Sequence, residues 1–171
     1  MACEKANMEG IPCQMVVAAD DCALPRTKGI TGARGVAGTV FIHKIAGAAA
    51  AMGKSLQEVA DLANAVSARM GTVGVAMNSV TVPGAEAVND RLDESTIEIG
   101  LGIHGEAGLK QSKLLSAKEI AKELITTIHA YGRPGKTKDE IIPMFQRDDE
   151  LCILVNNLGG TSNFEMSIFG T

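Results

Sequence analysis

The apolar residues of this chain follow two patterns, a helical spacing in some segments and short uninterrupted runs in others. The helical spacing predicts three helices, over about Val40–Met52, Ser55–Gly71 and Ser116–Gly132. Two of them open on a serine followed three residues later by a glutamate, Ser55 with Glu58 and Ser116 with Glu119. That spacing is typical of the capping box, which begins a helix.

The uninterrupted apolar runs predict strands. They lie at Gln14–Ala18, Val73–Val80, Thr96–Ile103 and Leu151–Asn157, and the last is the clearest buried strand in the sequence. Residues 133–150 are charged and contain two prolines, which favours a surface loop with room for one edge strand. Helices interleaved with apolar strands predict an α/β fold, a layered sheet with helices on its faces.

Both ends of the chain carry helical signals. Residues 2–9 resemble the end of a helix that stops at Gly10–Pro12, and Ser162 with Glu165 forms a third capping box close to Thr171. We therefore expect residues 1–171 to be part of one domain that is cut at both ends. The alternative is that both segments are short native helices.

Composition and charge exclude several classes of function. The chain has 171 residues, of which 46% are hydrophobic and only 3% aromatic, and its net charge is −4. Without a basic stripe or aromatic platforms, we expect no nucleic-acid partner. No apolar run is long enough to span a bilayer and no signal peptide is indicated, so we expect no membrane partner and a cytoplasmic location. The four cysteines lack a CxxC spacing, which favours buried free thiols and argues against a metal site.

Three of the predicted strands run directly into glycine and polar residues, at Thr81–Gly84, His104–Gly108 and Leu158–Ser162. If these strands lie side by side in parallel, the turns gather along one edge of the sheet, where open α/β sheets bind ligands. We then expect Thr81, His104 and Asn157–Gly159 to lie near one another. Glycine after a strand is also ordinary turn chemistry.

His104 is the sharpest chemical candidate because it lies among glycines, beside Gly105 and Glu106. A neutral imidazole can attack a carbonyl carbon if its other ring nitrogen is held by an acceptor. Glu106 is close enough in sequence to be that acceptor. The alternative is a structural hydrogen bond.

The remaining polar candidates favour structural roles. His43 and His129 lie on predicted helices, where packing or solvation is expected. Asp20 and Asp21 follow a strand end and would bind a metal or polar ligand, or cap a helix. Arg34 would clamp an anion or form a structural ion pair.

Several separated motifs, in order and suitably spaced from about Ile11 to Phe164, resemble the substrate-binding K domain of dihydroxyacetone kinases. They are GARGVAGTV (32–40), HKIAGAA (43–49), TVP (81–83), GLGIHGE (100–106) and LVNNLGGT (154–161). The family pattern reads HGEPG where this chain has Ala107, and GRRGVAG where it has Ala33. Neither difference removes a reactive group.

The resemblance implies a specific chemistry. In this family the K domain holds dihydroxyacetone as a hemiaminal on a histidine, and the motif match puts that histidine at His104. It implies substrate-binding or supporting roles for Gly105, Glu106, Thr81, Asn157 and Gly159. The covalent bond would select a ketone over glycerol, which has no carbonyl group.

The resemblance also implies partners outside this chain. The family's second histidine, its lysine and its catalytic aspartate lie in GGGSGHEP and KNYTGD segments, which these residues do not contain. ATP and Mg²⁺ bind a separate L domain or subunit, or a phosphotransferase system supplies the phosphoryl group, and the K domain is typically a homodimer. We expect this chain to be about half of a K domain, to bind neither ATP nor metal itself, and to be inactive alone as a kinase. The alternative is a non-catalytic, ligand-sensing relative that partners a transcription factor.

Overall fold

The computed structural model describes residues 1–25, 33–77, 83–84, 92–93, 95–135, 137 and 140–170. Five helices lie in this part of the chain: α1 (Ala2–Met8), α2 (Thr39–Ala51), α3 (Leu56–Ser67), α4 (Ala117–Tyr131) and α5 (Asn163–Phe169). Five strands accompany them: β1 (Val75–Ala76), β2 (Thr96–Ile99), β3 (Lys110–Lys113), β4 (Arg133–Pro134) and β5 (Ile141–Ile142). Among these helices, none is both long and apolar enough to cross a bilayer.

The three predicted helices are present, and serine capping boxes begin two of them. Ser55 and Ser116 each accept a hydrogen bond from the backbone N–H of the glutamate three residues on, and that carboxylate bonds back to the serine. Ser162 does the same at the start of α5. Each box satisfies backbone donors that a helix start would otherwise leave unpaired.

Replacing Ser116 by alanine should destabilise the protein by about 1 kcal/mol at neutral pH. The Ser116 hydroxyl, followed by the Ser116 backbone N–H, lowers the pKa of Glu119 below its ordinary value of 4.5. The stabilisation from this ionised group is therefore present above pH 4.5 and is lost as the pH falls through the lower pKa of the folded state. Urea unfolding at a series of pH values measures this effect. The difference in the free energy of unfolding between wild type and Ser116→Ala should become smaller in acid, whereas Ser116→Thr should stay close to wild type at every pH.

The core of the described structure lies where β2 packs on α4. Ile97 and Ile99 are completely buried and form a cluster with Ile120 of α4. The sheet has the order β1-β2-β3 and both pairings are antiparallel, with Val75 opposite Ile99. Helices packed on a small sheet agree with the predicted α/β class.

Two predicted strands are wrong as strands in the described structure. Gln14–Ala18 and Leu151–Asn157 have no strand assignment, and Met15 and Ile153 are each 73% exposed. An apolar run becomes a buried strand only when a neighbouring strand supplies backbone partners and a packing face. In the described part of the chain, the only pairing beside the first segment is an isolated parallel bridge between Asp21 and Thr72.

The other strand predictions are partly correct. Thr96–Ile103 ends early, at Ile99, because Gly100 adopts φ +77° and turns the chain. Of Val73–Val80, only Val75–Ala76 is a strand, and residues 78–80 lie outside the described residues. The expected parallel arrangement is wrong for β1 and β2, which are antiparallel. The loop at 133–150 contains the small hairpin β4–β5.

Candidate functional site

His104 lies at the tip of the loop that joins β2 to β3. The loop is closed at its base by a hydrogen bond from the Leu109 N–H to the Ile99 carbonyl, 2.7 Å long. Nearer the tip, the Gly102 N–H donates to the Glu106 carbonyl at 2.8 Å. Gly105 has φ +86°, a backbone conformation that favours glycine. This local folding leaves the His104 side chain 79% exposed.

The Glu106 carboxylate holds His104 in two places. One oxygen lies 3.0 Å from ring atom Nδ1 of His104, and the other accepts the His104 backbone N–H at 3.0 Å. An ionised carboxylate can only accept, so Nδ1 of the neutral ring carries the proton. The other nitrogen, Nε2, then keeps its lone pair. This is the arrangement that attack on a carbonyl carbon requires.

The ionised state of Glu106 is favoured by its surroundings. Its own backbone N–H contributes most to lowering the pKa of this carboxyl, and the hydrogen bond with the His104 ring adds to it. The carboxylate therefore persists throughout the neutral range. Gly102 makes room for it, because a Cβ built on Gly102 would lie 2.1 Å from a Glu106 oxygen.

Replacing Glu106 by alanine should release Nδ1 of His104. We expect the neutral ring of wild type to be protonated at Nδ1, and the ring of the Glu106→Ala variant to lose that preference. Nitrogen chemical shifts of ¹⁵N-labelled imidazole distinguish the two tautomers directly. Lys110→Ala, which removes a charge from β3 without touching His104, is the matched control. An unchanged tautomer in Glu106→Ala would contradict the proposed role of the carboxylate.

Glu98, on β2, also holds the His104 loop in place through hydrogen bonds, although the sequence pattern did not point to this residue. Glu98 is 3% exposed, on the face of β2 opposite Ile97 and Ile99. Its carboxylate accepts the Gly108 N–H at 2.6 Å and the Gln111 side chain at 3.2 Å. The sequence did contain a signal for this role, because Glu98 lies between two isoleucines of a predicted buried strand, and a buried carboxylate needs hydrogen-bond donors as partners.

Asp20 and Asp21 have the structural role that the sequence left open. Asp20 is 1% exposed and accepts hydrogen bonds from the backbone of Val36 and Gly38 and from the Thr72 hydroxyl, at 3.0, 2.8 and 2.5 Å. It thereby fixes the start of α2, whose N-cap is Gly38. In the described part of the chain, no cluster of three or more histidine, cysteine or acidic side chains is placed to hold a metal ion.

Arg34 links this aspartate pair to the His104 loop. Its Nε donates to Asp21, and its Nη2 donates to the Gly100 carbonyl at 2.9 Å, directly after β2. The expected structural ion pair is therefore present. Its third nitrogen, Nη1, is buried and has no hydrogen-bond partner among the described residues. A cavity of about 200 Å³ lies here, lined by Arg34, Gly35, Val36, Ile103, His104 and Glu106.

Two further predicted site residues, Asn157 and Gly159, lie in a second turn. Asn157 accepts the Gly159 N–H at 2.8 Å and donates to the Thr161 carbonyl at 2.6 Å, so its side chain organises the turn before α5. Gly159 adopts φ +106°, and Asn157 is exposed. The expected proximity of this turn to His104 stays a prediction, and Thr81 lies outside the described residues.

The two other histidines lie on helices, away from the cavity beside His104. His43 is exposed on α2, and the ring of His129, in the last turn of α4, packs edge-to-face on Phe145 with centroids 4.9 Å apart. Neither lines the cavity beside His104.

Comparison with known proteins identifies the family. The Dak1 domain family matches the chain over residues 1–171. This chain belongs to the Dak1 domain family. It is 42% identical over 168 residues to the human triokinase/FMN cyclase, covering 98% of this chain and 28% of that protein. It is also 40% identical to the dihydroxyacetone-binding subunit DhaK of a PTS-dependent dihydroxyacetone kinase from Lactococcus lactis, covering 99% of this chain and 48% of that subunit.

Solved structures agree with this assignment. The dihydroxyacetone kinase of C. freundii superposes with a TM-score of 0.81 at 31% identity, over 99% of this Dak1 chain and 28% of that one. The same enzyme is known in complex with AMP-PNP and Mg²⁺. The dihydroxyacetone kinase operon co-activator DhaQ matches 74% of the Dak1 chain and 39% of its own, with a TM-score of 0.66 and 35% identity. The Dak1 chain thus spans less than half the length of each of these proteins.

Proposed function

We propose that this Dak1 chain is part of the substrate-binding K domain of a dihydroxyacetone kinase, and that His104 binds the ketone covalently. The observation that carries this proposal is the exposed His104 ring, whose Nδ1 is hydrogen-bonded to Glu106 and whose Nε2 is left with a lone pair. The dihydroxyacetone-binding relative from Lactococcus supports the substrate class. We also propose a cytoplasmic location for the protein.

The bond forms by addition, with no leaving group. Nε2 of His104 donates its lone pair to the carbonyl carbon, and the electrons of the C=O double bond move to oxygen, which takes up a proton. The ring gains positive charge as the new bond forms, and the Glu106 carboxylate at Nδ1 stabilises that charge and accepts the Nδ1 proton. The alkoxide takes its proton from solvent, and Glu106 returns the proton it accepted to solvent, so that the carboxylate is restored. The product is a neutral hemiaminal with all atoms of ketone and imidazole retained.

The cavity beside His104 suits a short substrate. Its volume of about 200 Å³ is below the range of roughly 300–1,000 Å³ typical of sites for drug-sized ligands. Arg34 forms part of the wall of this space, and its side chain is fixed there by hydrogen bonds to Asp21 and to the Gly100 carbonyl.

Phosphoryl transfer by a kinase of this family also needs a nucleotide and a metal ion, ATP and Mg²⁺, and the related C. freundii enzyme is known in complex with AMP-PNP and Mg²⁺. We assign both to a separate nucleotide-binding L domain or subunit, the partner implied for a K domain, and we expect the complete K domain to dimerise.

A second candidate function is ligand sensing. The 35% identity to the DhaQ co-activator supports a regulator that binds the same ketone but transfers no phosphate. The His104–Glu106 pair serves either protein, because both must bind the carbonyl compound. The upstream KNYTGD aspartate distinguishes them: its presence in the complete gene favours the kinase, and its loss favours the regulator.

Carbon NMR tests the covalent site directly. Dihydroxyacetone labelled with ¹³C at its carbonyl carbon should, in the presence of the chain, show a new signal in the region of saturated carbons bearing oxygen and nitrogen. Glycerol labelled at the same carbon should show no such signal, because it has no carbonyl to attack. The signal should persist in His43→Ala. A spectrum that contains only free ketone and its hydrate at saturating protein would contradict the proposal.

A further inference from the structure

Two cysteines meet where the chain folds back on α1. Gly10 has φ +78°, and the Ile11 N–H donates to the Ala6 carbonyl at 2.9 Å, which ends α1 and reverses the chain. The residues after this turn run back along the helix. Cys13 therefore lies beside Cys3, although ten positions separate them.

The two thiols are in direct contact. Their Sγ atoms are 3.1 Å apart, and each S–H lies 3.2 Å from the backbone carbonyl of the other residue. Both cysteines are free and partly exposed. A disulfide needs an S–S distance of about 2.0 Å, so the sulfurs must approach by only about 1 Å.

Asn7 holds this contact in place. Its side-chain carbonyl accepts the Cys13 N–H at 2.9 Å, and its side-chain amide donates to the Cys13 carbonyl at 3.1 Å. The same amide nitrogen lies 3.7 Å from the Cys3 sulfur. One side chain of α1 thus fixes the backbone of Cys13 and touches the sulfur of Cys3.

The other two cysteines have different surroundings. Cys22 is buried, and Cys152 is exposed. Cys152 therefore offers a control thiol that a small oxidant reaches freely.

We propose that Cys3 and Cys13 are a redox-responsive dithiol, which a small disulfide of the glutathione class converts into an intramolecular disulfide. The thiolate of one cysteine attacks the oxidant, forms a mixed disulfide and releases one reduced thiol. The second cysteine, as its thiolate, attacks the protein sulfur of that mixed disulfide and releases the other reduced thiol. Two electrons pass from the protein to the oxidant, and two thiol protons pass to the solvent or to the released thiolates.

The bond would join the first turn of α1 to the segment after the helix. α1 has seven residues and buries none of them, so it depends on these local contacts. Closing a loop between positions 3 and 13 restricts the unfolded chain and opposes fraying of the helix. Oxidation would therefore join α1 covalently to the segment that follows its turn.

Peptide mapping of the chain after oxidised glutathione tests the proposal. Trypsin cleaves after Lys5, which separates Cys3 in Met1–Lys5 from Cys13 in Ala6–Arg26. We expect the two peptides to remain joined without reductant, at their summed mass less two hydrogens. Fragmentation should place the bond at Cys13 and not at Cys22, which lies in the same peptide. The joined product should form in monomeric protein at a rate independent of protein concentration.

Three variants separate pairing from general thiol reactivity. Asn7→Ala should slow ring closure about tenfold, because two hydrogen bonds that position Cys13 are lost, and should leave glutathionylation of Cys152 unchanged. Cys13→Ser should stop at a mixed disulfide on Cys3, and Cys152→Ser should still close the ring. Mixed disulfides that never close in wild type, a bond to Cys22, or cross-linked dimers in place of the internal bond would each overturn the proposal.

Discussion

Replacing His104 by alanine in the complete protein should abolish the covalent adduct with dihydroxyacetone and lower kcat/KM for the ketone by about 100-fold or more. Among the described residues that line the proposed site, the imidazole of His104 is the nucleophile suited to the carbonyl carbon, and the bond fixes the hydroxyl that accepts the phosphoryl group. KM should rise, and the preference for dihydroxyacetone over glycerol should fall, because the bond that rejects alcohols is gone. Steady-state kinetics with both substrates, together with native mass spectrometry of the adduct, measure the three effects.

A matched variant separates this effect from misfolding. His43 is exposed on α2 and does not line the cavity beside His104. His43→Ala should therefore keep both the adduct and the preference for the ketone. An adduct that survives in His104→Ala, or that maps to another residue, would exclude His104 as the nucleophile.

Replacing Asp20 by alanine should reduce the free energy of unfolding by about 3 kcal/mol, since a buried donor left without a partner costs about 1–3 kcal/mol and a partly buried one costs less. Three donors lose their acceptor in this variant: the backbone N–H groups of Val36 and Gly38 and the Thr72 hydroxyl. Urea denaturation at neutral pH measures the loss. Where Asp20→Ala does not fold, Thr72→Ala removes one of the three bonds and should cost about 1 kcal/mol.

Asp93 provides the control, because its carboxylate also accepts three hydrogen bonds but is exposed to solvent. Its carboxylate accepts from the Ser95 backbone N–H at 2.9 Å, the Ser95 hydroxyl at 2.8 Å and the Thr96 hydroxyl at 2.5 Å, and the residue is exposed. Solvent can replace these bonds in Asp93→Ala, so its destabilisation should be clearly smaller. Equal losses for the two aspartates would mean that burial of Asp20 does not determine its contribution.

Local signals in the sequence predicted local features of the structure. Ser55 with Glu58 and Ser116 with Glu119 marked the starts of α3 and α4, because a capping box depends only on residues three positions apart. The contact between His104 and Glu106 could be predicted for the same reason, because the two residues are only two positions apart in a glycine-rich turn. The motif resemblance led to the correct family.

Long-range features were not predictable in this way. Asp20 and Thr72 are 52 positions apart, and only the fold brings them into contact. Leu151–Asn157 has the composition of a buried strand, but strand formation depends on a partner that composition does not reveal. The link from Asp21 through Arg34 to Gly100 likewise joins segments that no periodicity connects.

The exposed run 151–158 has a consequence for handling the purified chain. After Glu150, the segment from Leu151 to Leu158 contains no charged residue and no proline, and its five aliphatic side chains at 151, 153, 154, 155 and 158 are between 42% and 73% exposed. A stretch with strong β-propensity and no charge within it is the kind of segment that stacks into cross-β fibrils, and here charged residues flank it on the N-terminal side only. Such a segment favours self-association at high concentration, and a lysine introduced within it should raise the solubility of the purified chain.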